Sequence, residues 1–212
     1  MKICGVDEAG KGPVLGPMVT AGVLISDPDE LTALGIKDSK RLSPKKRESL
    51  FDEITASWQT CTVVRSPLEI DSREGTMNIF TASCHADVVR GLHADLIYLD
   101  ACDVNAKRFG ENVLRLSGIS AEIRSEHKAD AKFPVVGAAS IVAKVTRDRC
   151  IAELKNEYGE IGSGYPSDSL TISFLTEYIR DHGKAPACAR RSWQTVRDIM
   201  NRSSQTGLSD FF

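Results

Sequence analysis

The chain has 212 residues, 42% of them apolar and 26% charged, with a formal net charge of −2. That composition suits a globular protein with a sizeable core; the charge argues against a general polyanion binder, so any nucleic-acid contact must gather its basic groups on one face. No stretch reaches the ~20 uninterrupted apolar residues of a membrane helix, and the N-terminus runs into Ile3 and Val6 with no charged-then-apolar leader.

Cys4, Cys61, Cys84, Cys102, Cys150 and Cys188 are dispersed and form no C-x-x-C pair. That usage reads as reduced thiols in a cytoplasmic protein, not as a disulfide framework or a metal site.

Residues 3–6 predict a short buried strand, with Asp7 and Glu8 standing where it ends. Successive side chains on a strand face opposite ways. The two carboxylates therefore share a site only if the chain leaves the sheet there, and Gly10, Gly12 and Pro13 supply that departure. Lys11, between the glycines, adds a positive charge suited to phosphate. Residues 18–25 form a second strand, paired antiparallel with the first and closed by Asp27, Pro28 and Asp29. Ser43 followed by Pro44 starts a helix, serine as cap and proline in the first turn, with Leu50, Phe51 and Ile54 on its apolar side. Residues 61–64 make a third strand, Ser66-Pro67 opens a loop or short helix, and 77–92 form a longer helix. A fourth strand, 95–100, ends in Asp100, and Asp103 is placed to cap the helix that follows. Residues 121–125 are a fifth strand. From Pro134 a run of small apolar residues begins a long helix to about Tyr158, and the turn 162–166 leads into helices near 168–181 and 192–202. Strands joined early and then alternating with helices predict an α/β fold, a mixed five-stranded sheet flanked by helices with a C-terminal helical extension.

Asp7, Glu8, Asp100 and Asp130 each fall at or just beyond the end of a predicted strand. Carboxylates packed together repel one another and need a compensating cation. A hard ion such as Mg²⁺, which takes oxygen ligands and keeps waters, fits such a set completed by a phosphate. Asp100 also reads as a helix cap, and Asp130 as a residue favouring the following helix N-terminus.

The stretch D-E-A-G-K-G-P at 7–13 with Gly16-Pro17, the Y-L-D ending at 100, the E-H-K-A-D ending at 130 and the G-S-G-Y-P turn at 162–166 resemble the ribonuclease HII family over nearly the whole chain. The resemblance implies a ribonuclease H-like fold, with Asp7, Glu8, Asp100 and Asp130 as catalytic residues holding two Mg²⁺ or Mn²⁺ ions. It further implies an endonuclease that cuts the RNA strand of RNA–DNA hybrids and the 5′ side of ribonucleotides embedded in duplex DNA, leaving 3′-OH and 5′-phosphate ends. Such an enzyme must detect the 2′-OH. The family does so with a G-R-G or G-K-G loop, here Gly10, Lys11 and Gly12, and a tyrosine against the neighbouring sugar, here Tyr165. Ser39, Lys40 and Lys46 match a phosphate-contacting region, and Lys144, Arg147 and Arg191-Ser192-Trp193 also fit family patterns.

The last eight residues fit Q-x-x-L-x-x-F-F, the binding box of a PCNA-type sliding clamp, with Gln205, Leu208, Phe211 and Phe212 as its anchors. In that mode a short tail turns once and puts its apolar residues into a groove; packing back onto the body is the other reading. The box resembles archaeal members of the family. The domain expectation is a catalytic core at 1–165, a helical subdomain at 166–202 and a flexible tail at 203–212, in a monomer. Two rivals stay open: another ribonuclease H-fold nuclease such as a junction resolvase, and a non-catalytic clamp- or hybrid-binding module.

Overall fold

The computed structural model describes residues 1–36 and 42–209. In chain order the elements are β1 (Ile3–Ala9), β2 (Met18–Ile25), α1 (Pro28–Ala33), α2 (Pro44–Ser57), β3 (Gln59–Arg65), α3 (Pro67–Asp71), α4 (Met77–Leu92), β4 (Leu96–Asp100), α5 (Ala106–Ser117), β5 (Glu122–Glu126), α6 (Ala129–Lys132), α7 (Pro134–Tyr158), α8 (Ser169–His182) and α9 (Gln194–Ser209). They form two compact units. The first comprises Met1–Ala9, Val19–Val64 and Glu74–Thr146; the second comprises Gly10–Met18, Arg65–Arg73 and the chain from Arg147 onward. The boundary expected at 165/166 therefore lies inside the second unit.

The first unit carries the five-stranded mixed sheet, in the order β3-β2-β1-β4-β5. β1 lies at its centre, antiparallel to β2 and parallel to β4, and β4 is parallel to β5. Side-chain alternation divides β1 between two cores. Ile3 joins Val19, Leu50, Val136 and Ala139 on one side, and Cys4 and Val6 join Ala86, Val89, Ile97 and Phe109 on the other. Each fully buried aliphatic side chain contributes roughly 1.5–3 kcal/mol. Gly5 faces the start of α7, where an added Cβ would run into the backbone of Val135 and Val136. That missing side chain lets α7 lie directly against the strand.

Helix starts follow local chemistry. Ser43 caps α2, accepting from Lys46 N at 3.3 Å, with Pro44 in the first turn as expected. Ser66 and Glu69 form a capping box on α3, each side chain accepting from the other's backbone N–H. Asp103 does not cap α5: Asn105 does, and Asp103 pairs instead with Arg108 at 2.5 Å. Two further expectations are corrected. Asp27, Pro28 and Asp29 do not merely end β2, since Asp27 caps the one-and-a-half turns of α1. β1 continues three residues beyond Val6, held by its register to Ala9↔Val19.

The second unit is built on Val14, Leu15, Ile161, Leu175, Ile179 and Val196. Its loops are tied by backbone bonds: Val14 N and Leu15 N donate to Gly164 O, and Arg190 N donates to Val14 O at 2.9 Å. Asp168 caps α8, and Gly183 ends it in the left-handed conformation. The backbone of α9 runs to Ser209, so residues 203–209, expected as tail, continue that helix. All six cysteines are free. Among the described residues, no helix is long and apolar enough to cross a membrane.

Candidate active site

Three carboxylates from three elements of the first unit converge. Ligand oxygens of Asp7 on β1, Asp100 at the end of β4 and Asp130 on α6 all lie within 4.8 Å of one another. The parallel register of β1 and β4 brings Val6 beside Leu99, so the residues that follow each, Asp7 and Asp100, lie side by side on neighbouring strands. Asp130 is delivered by the turn after β5, where Lys128 takes φ 56° and starts α6.

Hydrogen bonds hold the acids in place. Glu8 N donates to Asp7 Oδ1 at 2.7 Å, and the Ser140 hydroxyl on α7 also bonds that carboxyl. Ala129 N donates to Asp100 Oδ1 at 2.9 Å, which ties β4 to α6. Burial, and then the charges of Glu8 and Asp100, push Asp7 well above the ordinary carboxylate range. A carboxylate set this crowded, with a buried member whose charged form is disfavoured, is what a divalent cation relieves. The donors are all oxygen, as Mg²⁺ or Mn²⁺ requires, so these residues fit such an ion.

Glu8 is not among the three acids whose oxygens lie within 4.8 Å of one another. Because β1 persists to Ala9, Asp7 and Glu8 alternate along the strand, yet the Glu8 charge still acts on the Asp7 carboxyl. Glu8 Oε2 accepts from Nε2 of the fully buried His85 on α4 at 2.8 Å, and the His85 ring packs edge-on against Phe109. Sequence reading missed His85. Its signal was a polar residue on the helix face carrying Ala82, Ala86, Val88, Val89 and Leu92.

The glycine loop lies in the second unit, and its two glycines differ. Gly10 has φ +84°, and a Cβ there would lie 2.5 Å from the Arg147 side chain and 2.8 Å from Pro17 O. It is glycine for the fold's sake. Gly12 is exposed, lies outside the left-handed region, and a Cβ on it would meet nothing within 4 Å. Nothing among the described residues requires glycine there, so Gly12 is the one suited to close approach from outside. Lys11 between them is half-buried. Arg147, 2% exposed, donates to Ser163 O at 3.2 Å and lies 5.1 Å from the centre of the Tyr165 ring. Tyr165 itself is 38% exposed.

The other expected contacts fall elsewhere. Lys46 is exposed in the first turn of α2. Ser39, Lys40, Phe211 and Phe212 lie outside the described residues; Gln205 and Leu208 sit on the backbone of α9, one turn apart.

A mixed five-stranded sheet with an acidic cluster at the ends of its central strands defines a nuclease of ribonuclease H-like architecture, and comparison with known proteins agrees. Residues 4–196 match the family model described as Ribonuclease HII. The chain is 82% identical, over 100% of both sequences, to a protein named Ribonuclease HII from Methanocorpusculum labreanum. It superposes with a TM-score of 0.92 on the crystal structure of ribonuclease H2 from Pyrococcus horikoshii OT3, at 43% identity, covering 97% of this chain and 100% of that one. A second match, at TM-score 0.86 and 42% identity, covers 92% of this chain and 96% of a chain in the PCNA:RNase HII complex from Archaeoglobus fulgidus. The chain belongs to the ribonuclease HII family, in its archaeal form. It is accordingly an enzyme, a metal-dependent endonuclease of the ribonuclease H kind.

Proposed function

We propose that this enzyme hydrolyses the RNA strand of RNA–DNA hybrids and cuts on the 5′ side of single ribonucleotides within duplex DNA, with two divalent ions. The observation that carries the reading is the convergence of Asp7, Asp100 and Asp130 within 4.8 Å. These three, with Glu8 as the fourth acid, would hold the ions. Magnesium or manganese, when bound, supplies an activated water and charge neutralisation at the departing 3′ oxygen.

The protein's own groups do the rest. Ser140 and the Glu8 amide keep the Asp7 carboxyl turned to the cluster, and Ala129 N does the same for Asp100. His85 holds Glu8 by its Oε2. Gly10, Lys11 and Gly12 are the reader of the ribose; Gly12, with open space where its side chain would be, lets backbone reach a 2′-OH. Tyr165, backed by Arg147, offers a ring to the neighbouring sugar. Ser39, Lys40 and Lys46 contribute phosphate contacts, and Gln205, Leu208, Phe211 and Phe212 engage a PCNA-type clamp, a partner supported by the complex found for the Archaeoglobus relative.

Three labelled duplexes test the reading: one all-DNA, one with a single ribonucleotide and one a continuous hybrid, each with Mg²⁺ and with EDTA. Metal-dependent cutting of the last two, with 3′-OH ends and an intact all-DNA duplex, is the expected result. Cutting of ribonucleotide-free junctions would favour a resolvase, and no cutting would favour a binding module.

A further inference from the structure

The glycine loop is gripped by side chains from the far end of the chain. Arg190, fully buried, donates from Nη2 to Gly10 O at 2.6 Å, from Nη1 to Lys11 O at 3.0 Å and from Nε to Gly16 O at 3.0 Å. Trp193 Nε1 donates to the next carbonyl, Gly12 O, at 3.2 Å, and its ring lies 5.1 Å from the Arg190 guanidinium. Three consecutive carbonyls are thus turned toward one arginine–tryptophan pair. The pair is itself held. Asp71 accepts from Arg191 N, Ser192 N and Ser192 Oγ, while Arg73 donates to Ser192 Oγ and stacks on Trp193 from 5.2 Å.

This grip has a geometric consequence. In a trans peptide the N–H points opposite to the preceding C=O, and among the described residues no peptide bond is cis. With the carbonyls of Gly10 and Lys11 bound to Arg190, the amides of Lys11 and Gly12 face the opposite side. We infer that Arg190, with Trp193, is a positioning residue for ribonucleotide recognition: it fixes the direction in which the Gly12 amide is offered to the sugar. Arginine suits the task because its rigid fork can satisfy three acceptors at once, whereas a lysine offers one rotatable ammonium. Burial, and then repulsion from Arg147, lower the Arg190 pKa to about 9, which leaves it charged at neutral pH. The inference rests on the reading that the loop at 10–12 contacts the ribonucleotide, and its test separates the two.

The measure is discrimination: the Ki of an all-DNA duplex used as competitor, divided by the KM of the same duplex carrying one ribonucleotide, in Mg²⁺ with the intact enzyme. Arg190→Lys and Trp193→Phe are compared with wild type and with Gly12→Ala, alongside melting temperature and Mn²⁺ affinity. In Arg190→Lys, discrimination falls about tenfold or more, the scale of one charged hydrogen bond, while the all-DNA Ki moves less than about twofold and Mn²⁺ affinity is unchanged. Trp193→Phe shifts discrimination the same way by less, and serves alone if the lysine variant fails to fold. A role in mere folding would lower melting temperature without moving the ratio, and that result overturns the inference. If Gly12→Ala collapses discrimination while Arg190→Lys and Trp193→Phe both keep it, only the positioning role falls. If Gly12→Ala also leaves it intact, the loop is not the reader and the inference falls with it.

Discussion

Glu8 and His85 share a 2.8 Å bond on the face of β1 opposite the Asp7 carboxyl. Two adjacent acids in the sequence thus take separate tasks, one inside the acidic cluster and one tethered to a buried imidazole. The tether predicts energetic coupling. In a double-mutant cycle of Glu8→Gln, His85→Ala and the double variant, followed by urea unfolding, the pair should couple by about 0.5–3 kcal/mol. His85→Ala alone should cost about 2–4 kcal/mol, since it removes a fully buried ring and leaves a cavity beside Phe109. Additive effects would mean that the bond does not anchor Glu8.

Asp7 makes stability depend on pH. Its pKa in the folded protein lies well above the ordinary 3.8, because of burial and then of Glu8 and Asp100. A folded acid with a raised pKa binds its proton more tightly than the unfolded chain does. Its contribution is therefore full below 3.8 and is lost as pH rises through the folded value. Thermal melts in EDTA across that window should fall with rising pH for wild type and show a smaller fall for Asp7→Asn. Added Mg²⁺ should flatten the wild-type profile. Parallel profiles for the two proteins would remove Asp7 from the crowded site.

The two glycines of the loop should respond oppositely to alanine. Gly10→Ala forces a positive φ and a clash with Arg147 and Pro17 O, and should cost about 1–3 kcal/mol. Gly12→Ala should leave stability within about 0.5 kcal/mol, because its Cβ meets open space, while weakening ribonucleotide cleavage. Chemical denaturation of both variants settles the assignment; equal losses would contradict it.

These contrasts mark how far the sequence could be read. Strand ends are visible in apolar runs, so the meeting of Asp7, Asp100 and Asp130 was legible from their placement together with the family resemblance. The face of Glu8 was not. It depends on whether β1 stops at Val6 or continues to Ala9, and that is decided by pairing with β2 and not by the sequence of β1 itself. Gly10 and Gly12 look alike in a motif, and only the packing of Arg147 tells them apart. His85 and Arg190 are buried polar residues whose partners lie 77 and 180 positions away, beyond the reach of any local pattern. Asn105 outcompeted Asp103 as a cap because Arg108, one turn into the helix, draws the Asp103 carboxylate to itself.

Recruitment should separate from chemistry. Removing Gln205 to Phe212 takes away no member of the acidic cluster and none of the core residues around Val196. Truncated protein should cleave short free duplexes at nearly the wild-type rate and lose affinity for a PCNA-type clamp, each buried anchor contributing about 1.5–3 kcal/mol. Calorimetric titration with the clamp, beside initial rates, checks both halves. Unchanged clamp affinity would rule the box out, and crippled cleavage would assign the segment to the catalytic body.

The central claim is that the Asp7, Asp100 and Asp130 cluster carries the metal-dependent cut. Its most direct test is the initial rate of cleavage of a duplex with one ribonucleotide, measured against Mg²⁺ concentration for wild type and Asp100→Asn. The variant should keep its melting temperature to within a few degrees and lose at least about a thousandfold in rate at every Mg²⁺ concentration, the scale of several kcal/mol of lost charge stabilisation. Wild-type rates in a folded Asp100→Asn enzyme, or cutting that persists in EDTA, would contradict it.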